Sequence, residues 1–84
     1  MYYISNVCYE LLPFGLLQKC SSGLTTLYSY HTIRTIKFIE GEYLSIYLNK
    51  SNSDSDVIIK AETKEDSTDV NRLFRDLSNV RTSA

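Results

Sequence analysis

The final part of the chain changes its hydrophobic period, and this change constrains the fold more than any other feature of the sequence. In the segment STDVNRLFRDLSNV, apolar residues fall at i, i+3, i+4, i+7 and i+10, which places them in one stripe along a helix. The stripe consists of Val70, Leu73, Phe74, Leu77 and Val80. We predict a helix over about residues 67–80, with Asp66 or Ser67 as its N-cap. Because a helix this short is marginal alone, its stripe must pack against the rest of the chain.

The segment YLSIYLN, residues 43–49 in the middle of the chain, alternates with the period of a β-strand. In YLSIYLN, one face carries Leu44, Ile46 and Leu48, and the other carries Tyr43, Ser45 and Tyr47. If the aliphatic face is directed towards the core, the two tyrosines point outwards. The sequence therefore predicts a strand with an aromatic outer face.

Turn signals divide the remaining sequence into further strands. The only proline, Pro13, ends or bends a strand over residues 2–12, and SSG at 21–23 forms a turn. A change of parity predicts a bend or bulge near 31–34. Gly41 closes a hairpin. We expect an exposed loop at 50–56 and a further strand at 57–63.

These elements predict one domain over residues 1–84. The fold class is α+β: an antiparallel curled sheet or partly open β-barrel of about six strands, with one C-terminal amphipathic helix covering a face or an open end. At this length a single core is only just sufficient, and no second domain fits.

One arrangement of motifs resembles a known family. The segment LYSYHTIRTIKF is followed by a Gly turn, a strand, a polar loop, VIIKAET and a terminal helix. This order, over about residues 24–80, resembles the compact pleckstrin-homology-like (PH-like) domains of bacterial and phage proteins, whose last helix plugs a barrel. The region that binds phosphoinositides in eukaryotic members has only Lys19 here, so lipid headgroup binding is not implied. The stretch IKFIEGEYLSIYL also resembles SH3-like barrels and the sheet of response-regulator DNA-binding domains.

Charge and composition limit the classes of partner and compartment. The formal net charge is −1, and scattered basic residues do not favour a dedicated nucleic-acid binder. The chain contains no apolar run long enough to cross a bilayer, and its opening residues lack the pattern of a signal peptide. We therefore expect a cytoplasmic protein, in which Cys8 and Cys20 are unpaired thiols.

The candidate catalytic and metal-binding groups each have a simpler interpretation. His31 is the only histidine, and a lone imidazole without further ligands at metal spacing is typical of a turn residue. Glu40 and Glu42 flank a turn glycine, where both carboxylates are expected to be solvated rather than paired for acid–base chemistry. The SNSDSD segment lacks the glycine and terminal glutamate of a calcium loop. We expect no enzyme activity, no cofactor and no metal.

The seven tyrosines point instead to a binding surface, since tyrosine is enriched in protein interfaces. We predict a non-enzymatic protein-binding or oligomerisation module, such as a phage or bacterial accessory or regulatory protein. The predicted interface residues are Tyr43, Tyr47, Tyr28 and Tyr30. A homo-oligomer whose contact includes Tyr43 or Tyr47 is one form of this prediction.

Two alternatives remain open from the sequence. Aromatic residues also stack across strands simply to stabilise a sheet. Arg34, Lys37 and Lys60, together with sheet tyrosines, are also consistent with a small nucleic-acid-binding protein.

Overall fold

Two antiparallel sheets and one C-terminal helix form the computed structural model, which describes residues 1–49 and 56–83. The N-terminal sheet has the order β1-β2-β3-β4, with strands β1 (Tyr2–Ile4), β2 (Val7–Leu11), β3 (Gly15–Cys20) and β4 (Thr25–Ser29). The second sheet has the order β5-β6-β7, with strands β5 (Ile33–Ile39), β6 (Tyr43–Leu48) and β7 (Val57–Lys60). Helix α1 spans Lys64–Ser83. The predicted α+β class with antiparallel strands and a terminal helix is confirmed.

The core lies between the inner faces of the sheets and the helix. It contains Tyr2, Ile4, Tyr9, Leu16, Tyr30, Ile33, Leu44, Ile46, Val57, Ile59, Val70, Leu73 and Leu77. The helix contacts β1, β6 and β7. Its predicted stripe is confirmed, because three stripe residues are fully buried and Phe74 and Val80 pack against this cluster. The Phe74 ring also stacks on Phe38, with 4.2 Å between ring centroids.

The N-terminal segment differs from the prediction of one strand over residues 2–12. It forms a hairpin in which Ile4 pairs with Val7. Ser5 and Asn6 make the two-residue turn, with φ values of 51° and 68°, as in a type I′ turn. No glycine marks this turn, and apolar residues alternate on both sides of it. For these two reasons the sequence pattern indicated one continuous strand. Because of this hairpin, the described residues form seven strands, where about six were expected.

The strands also divide between two sheets, where the sequence suggested one curled sheet. The chain leaves β4, makes a short 3₁₀ turn at Tyr30–Thr32 and enters β5. The β5–β6 register then shifts between Ile33 and Thr35, which confirms the predicted irregularity near 31–34. Within residues 1–49 and 56–83, the two sheets are not hydrogen-bonded into a closed barrel.

The remaining boundaries are mostly as expected. Gly23 and Gly41 have φ values of 97° and 75°, conformations that glycine adopts without a Cβ clash. The last strand ends at Lys60, three residues earlier than predicted. Most of the predicted loop, residues 50–55, lies outside the described residues.

The helix begins at Lys64, before the predicted start. Its N-cap is Thr63, whose Oγ1 accepts a hydrogen bond from the Asp66 backbone N–H at 3.0 Å. The Asp66 carboxylate in turn accepts from the Thr63 backbone N–H at 3.3 Å. This reciprocal pair is a capping box. Asp66 is therefore part of the cap at the third helical position, and the N-cap prediction of Asp66 or Ser67 was wrong. In the part of the chain that the structure describes, no helix is both long enough and apolar enough to cross a membrane.

Candidate protein-interaction site

Tyr43 and Tyr47 lie on the outward face of the second sheet, on its central strand. Opposite them on the neighbouring strands, Tyr43 pairs with Ile39 and Lys60, and Tyr47 pairs with Thr35. We define the tyrosine face as Thr35, Lys37, Ile39, Tyr43, Ser45, Tyr47, Ile58 and Lys60. The inward orientation predicted for Leu44 and Ile46 is confirmed, since both are fully buried.

The tyrosine face presents apolar surface around a small, buried centre. Both of its tyrosines are half-buried, while Ile58 exposes 56% of its surface. Ser45 lies between Lys37 and Ile58 in the register and is 3% exposed. The larger side chains of the neighbouring residues therefore cover Ser45. The exposed apolar surface of the face lies around this serine.

The charged side chains within this face are positive, while Glu40 and Glu42 lie beyond its end in the β5–β6 turn. Lys37 and Lys60 are exposed members of the face. The Arg34 guanidinium lies over the Tyr47 ring, 5.7 Å from its centroid, at a distance typical of a cation–π contact. The residues that define the face include no carboxylate. The structure thus brings the three predicted cations together with two of the predicted tyrosines.

The other two predicted interface tyrosines lie elsewhere. Tyr30 is 7% exposed, and its hydroxyl donates a hydrogen bond to the Leu12 carbonyl. Tyr28, on β4, is half-buried and donates from its hydroxyl to Gln18 Oε1 at 3.1 Å. Burial raises the pKa of both phenols. Neither residue extends the tyrosine face, and both contribute to the packing of the N-terminal sheet.

A second surface was not found from the sequence. Apart from Ile58, the exposed large hydrophobic residues all belong to the N-terminal sheet or its termini and turns: Met1, Tyr3, Phe14, Leu24 and Leu27. We define the N-terminal face as the outward residues Tyr3, Cys8, Glu10, Leu17, Lys19, Thr25 and Leu27. The alternation of side chains within each short strand could have indicated this face. That alternation can be assigned to one face only if the turn at Ser5 and Asn6 is known, because the turn places Tyr3 and Cys8 on the same side of the sheet.

The candidate catalytic and metal-binding residues are dispersed. His31 is exposed in the 3₁₀ turn, and Glu40 and Glu42 are exposed beside Gly41. Among the described residues, no group of three or more histidine, cysteine or acidic side chains is arranged to hold a metal ion. Cys8 and Cys20 are free and lie on opposite faces of neighbouring strands, because Cys8 pairs with Lys19 and Cys20 with Val7.

The Asp66 carboxylate, which accepts several hydrogen bonds, has a structural role. Asp66 is 8% exposed and accepts hydrogen bonds from the backbone N–H groups of Ser5, Glu62 and Thr63 at 3.1–3.3 Å. The Ser5 hydroxyl also donates to it at 3.3 Å. The backbone hydrogen bond from Glu62 is the largest of the interactions that lower the pKa of Asp66. The carboxylate therefore joins the first hairpin to the start of the helix.

A second polar contact connects the beginning of the chain to the middle of the helix. The Tyr2 hydroxyl donates to the Asp76 carboxylate, and the Arg72 guanidinium lies 5.3 Å from the centroid of the Tyr2 ring. Burial is the main cause, with the Asp76 contact second, of a rise in the Tyr2 pKa to about 12. The hydrogen bond from Tyr2 lowers the pKa of Asp76. These three side chains therefore connect β1 to α1.

Comparison of the chain with protein-family models, with curated proteins and with solved structures found no significant match. The two exposed faces are therefore the features from which a function can be inferred.

Proposed function

We propose that the chain is a non-enzymatic protein-binding module that binds an acidic segment of a partner protein across the tyrosine face. The observation that carries this proposal is the position of Tyr43, Tyr47 and Ile58 on one exposed sheet face rimmed by Arg34, Lys37 and Lys60. Tyrosine supplies large contact area at low entropic cost, and it is common at the energetic centre of interfaces.

The charge of the face supports an acidic partner. A segment that carries Asp or Glu beside apolar side chains would place carboxylates near Lys37 and Lys60 and its apolar groups on the tyrosines and Ile58. Opposite potentials favour encounter and fix register. A second copy of the chain fits this face less well than an acidic partner, because it would bring the same three cations towards their counterparts.

The wider setting of the proposal comes from the order of the elements. Four-stranded and three-stranded antiparallel sheets followed by one helix are compatible with a PH-like arrangement around a partly open barrel. We propose a PH-like accessory module of phage or bacterial type, acting in the cytoplasm. The binding of a lipid headgroup is not part of this proposal.

Binding of single-stranded nucleic acid is the second candidate function. The same observation favours it, because cations beside stackable aromatic rings are what sequence-tolerant single-strand binders use. Ile58, the most exposed apolar residue of this face, offers aliphatic surface, which suits the apolar side chains of a peptide better than base stacking. We therefore rank nucleic acid below an acidic protein segment.

Selection from a library of random peptides tests the proposal. We expect the wild-type protein to enrich peptides that combine acidic with aromatic or aliphatic residues, and the variant Tyr43→Ser/Tyr47→Ser to lose their binding. Leu24→Ser, which removes an exposed apolar side chain that belongs to neither face, is the matched control and should retain binding.

Two results would contradict the protein-binding proposal. One is a set of enriched peptides whose affinity is unchanged in the Tyr43→Ser/Tyr47→Ser variant. The other is the absence of enrichment while a fluorescent oligothymidine binds the wild type in a salt-sensitive manner, which would favour the nucleic-acid function.

A further inference from the structure

The register of the N-terminal sheet arranges its outward side chains in two rows. Tyr3, Cys8, Lys19 and Thr25 lie side by side on β1, β2, β3 and β4. Two residues further along the strands, Glu10, Leu17 and Leu27 lie side by side on β2, β3 and β4. Paired residues of neighbouring strands point to the same side of a sheet, so both rows belong to the N-terminal face.

Across these two rows the apolar residues form a diagonal stripe. The stripe runs through Tyr3, Cys8, Leu17 and Leu27. Glu10 lies on one side of the stripe and Lys19 on the other, at corresponding distances from its midpoint. With strands about 4.8 Å apart and a rise of about 3.4 Å per residue, the line from Glu10 to Lys19 crosses the stripe between Cys8 and Leu17.

This pattern is self-complementary under a two-fold rotation. An axis in the plane of the face, directed along the stripe, places each stripe residue opposite its own counterpart in a second copy. The same rotation places Glu10 opposite the Lys19 of the second copy, and Lys19 opposite its Glu10. The strands of the two copies then cross steeply, as they do in orthogonal packing of sheets.

We propose that the N-terminal face is a self-association surface whose occupant is a second copy of this chain. The complementary charges of the face favour this occupant, and so does its unpartnered apolar surface, since Tyr3 and Leu27 are 62% and 48% exposed. Within residues 1–49 and 56–83, the ion pairs join Arg72 to Asp69 and Arg75 to Asp76. The charges of Glu10 and Lys19 are therefore available to a second copy. An isologous contact of this kind closes as a dimer.

The self-association surface is independent of the proposed acidic-segment site. The two faces belong to different sheets, and they differ in charge: the N-terminal face has one carboxylate and one ammonium group, whereas the tyrosine face has cations alone. The dimer proposed here would leave the tyrosine face uncovered. This separates it from the sequence-based prediction that a homo-oligomer contact includes Tyr43 or Tyr47.

Two complementary charge changes test the proposal through the mass of the protein in solution. Glu10→Lys gives a face with two cations, and Lys19→Glu gives a face with two carboxylates. We expect the wild type to dimerise in sedimentation at tens to hundreds of micromolar, and each variant alone to dimerise about tenfold or more weakly. An equimolar mixture of the two variants should dimerise again, because each cationic position then meets an anionic one.

The mixture excludes explanations that act within one chain, since an altered monomer would not be restored by another altered monomer. Thermal unfolding of each variant establishes that it is folded. A wild type that stays monomeric over this range would overturn the proposal. Dimers that persist in both single variants, or a mixture that stays monomeric, would overturn it as well.

Chemical cross-linking supplies a second measurement that does not depend on charge. The two-fold axis passes beside Cys8, so the Cys8 thiols of the two copies approach each other across the contact. In the Cys20→Ser variant, a short bis-maleimide should therefore produce a covalent dimer. The control variant Cys8→Ser retains Cys20, which lies on the opposite face, and should not cross-link. Cross-linking of the control but not of the Cys20→Ser variant would contradict the proposed contact.

Discussion

Asp66 shows how much of this small fold depends on one side chain. Its carboxylate satisfies backbone donors from the Ser5 turn, from Glu62 and from the helix N-cap Thr63. A carboxylate at the first turn of a helix also interacts favourably with the helix dipole. The first hairpin and the helix are far apart in sequence, and this group holds them in one arrangement.

Asp66→Asn should lower the free energy of unfolding by about 1–3 kcal/mol at neutral pH, because an amide cannot accept the same charge-assisted hydrogen bonds. Urea unfolding measures this change. Glu65→Gln, at the neighbouring exposed position of the first turn, is the matched control and should change stability little. Equal stability of wild type and Asp66→Asn would remove the proposed role of the carboxylate.

The pH dependence of stability follows from the same contacts. The folded-state pKa values of Asp66 and Asp76 lie below the ordinary value, so their contribution is present above the unfolded-state pKa of about 4. It is lost as the pH falls through the folded-state values. We expect wild-type stability to decline in this acid range and Asp66→Asn to decline less steeply. A parallel decline of both proteins in urea titrations would contradict this assignment.

At the scale of elements, the first hairpin depends on two residues other than glycine in the left-handed region. Asn adopts a positive φ readily, whereas a β-branched residue does so only with strain. Asn6→Val should therefore destabilise the protein by about 1–2 kcal/mol, and Asn6→Gly should change its stability by less than that. Thermal unfolding of the two variants decides the point, and equal melting temperatures would contradict the turn geometry.

The helix illustrates what the sequence predicted well. Its stripe was readable because period 3.6 differs clearly from the period of the strands, and the residues of that stripe pack in the core. Its start was less readable, since Thr63 and Asp66 form a capping box within a run of residues that offers several other N-cap candidates, among them Ser67 and Thr68. The outward tyrosines of β6 followed from alternation alone, but the separate locations of Tyr28 and Tyr30 depend on tertiary packing.

The burial of the helix leads to a graded prediction. Leu73 is fully buried, whereas Phe74 is only partly buried and stacks on Phe38. Leu73→Ala should cost about 3 kcal/mol through lost burial and a cavity, and Phe74→Ala about 2 kcal/mol because its site is open to solvent. Urea midpoints of both variants test the order. A helix that is a detachable tail would leave both midpoints unchanged.

At the scale of the whole molecule, the two sheets present outer faces of different character. The inner faces and the helix share one core, so within residues 1–49 and 56–83 no helix covers the outer face of either sheet. One outer face has tyrosines with cations, and the other has an apolar stripe with balanced charges. The sequence indicated the tyrosine face, because YLSIYLN alternates without interruption. It did not indicate the N-terminal face, because the turn that defines it lacks glycine.

If the two faces bind different occupants, two-dimensional amide spectra of one labelled sample should show two separate sets of shifts. Dilution from hundreds to tens of micromolar should shift amides of β2 and β3, around Cys8 and Lys19. Addition of an enriched acidic peptide at low protein concentration should instead shift amides of β6 and β7, around Tyr43, Tyr47 and Ile58. Dilution shifts centred on β6, or peptide shifts centred on β2 and β3, would contradict this account.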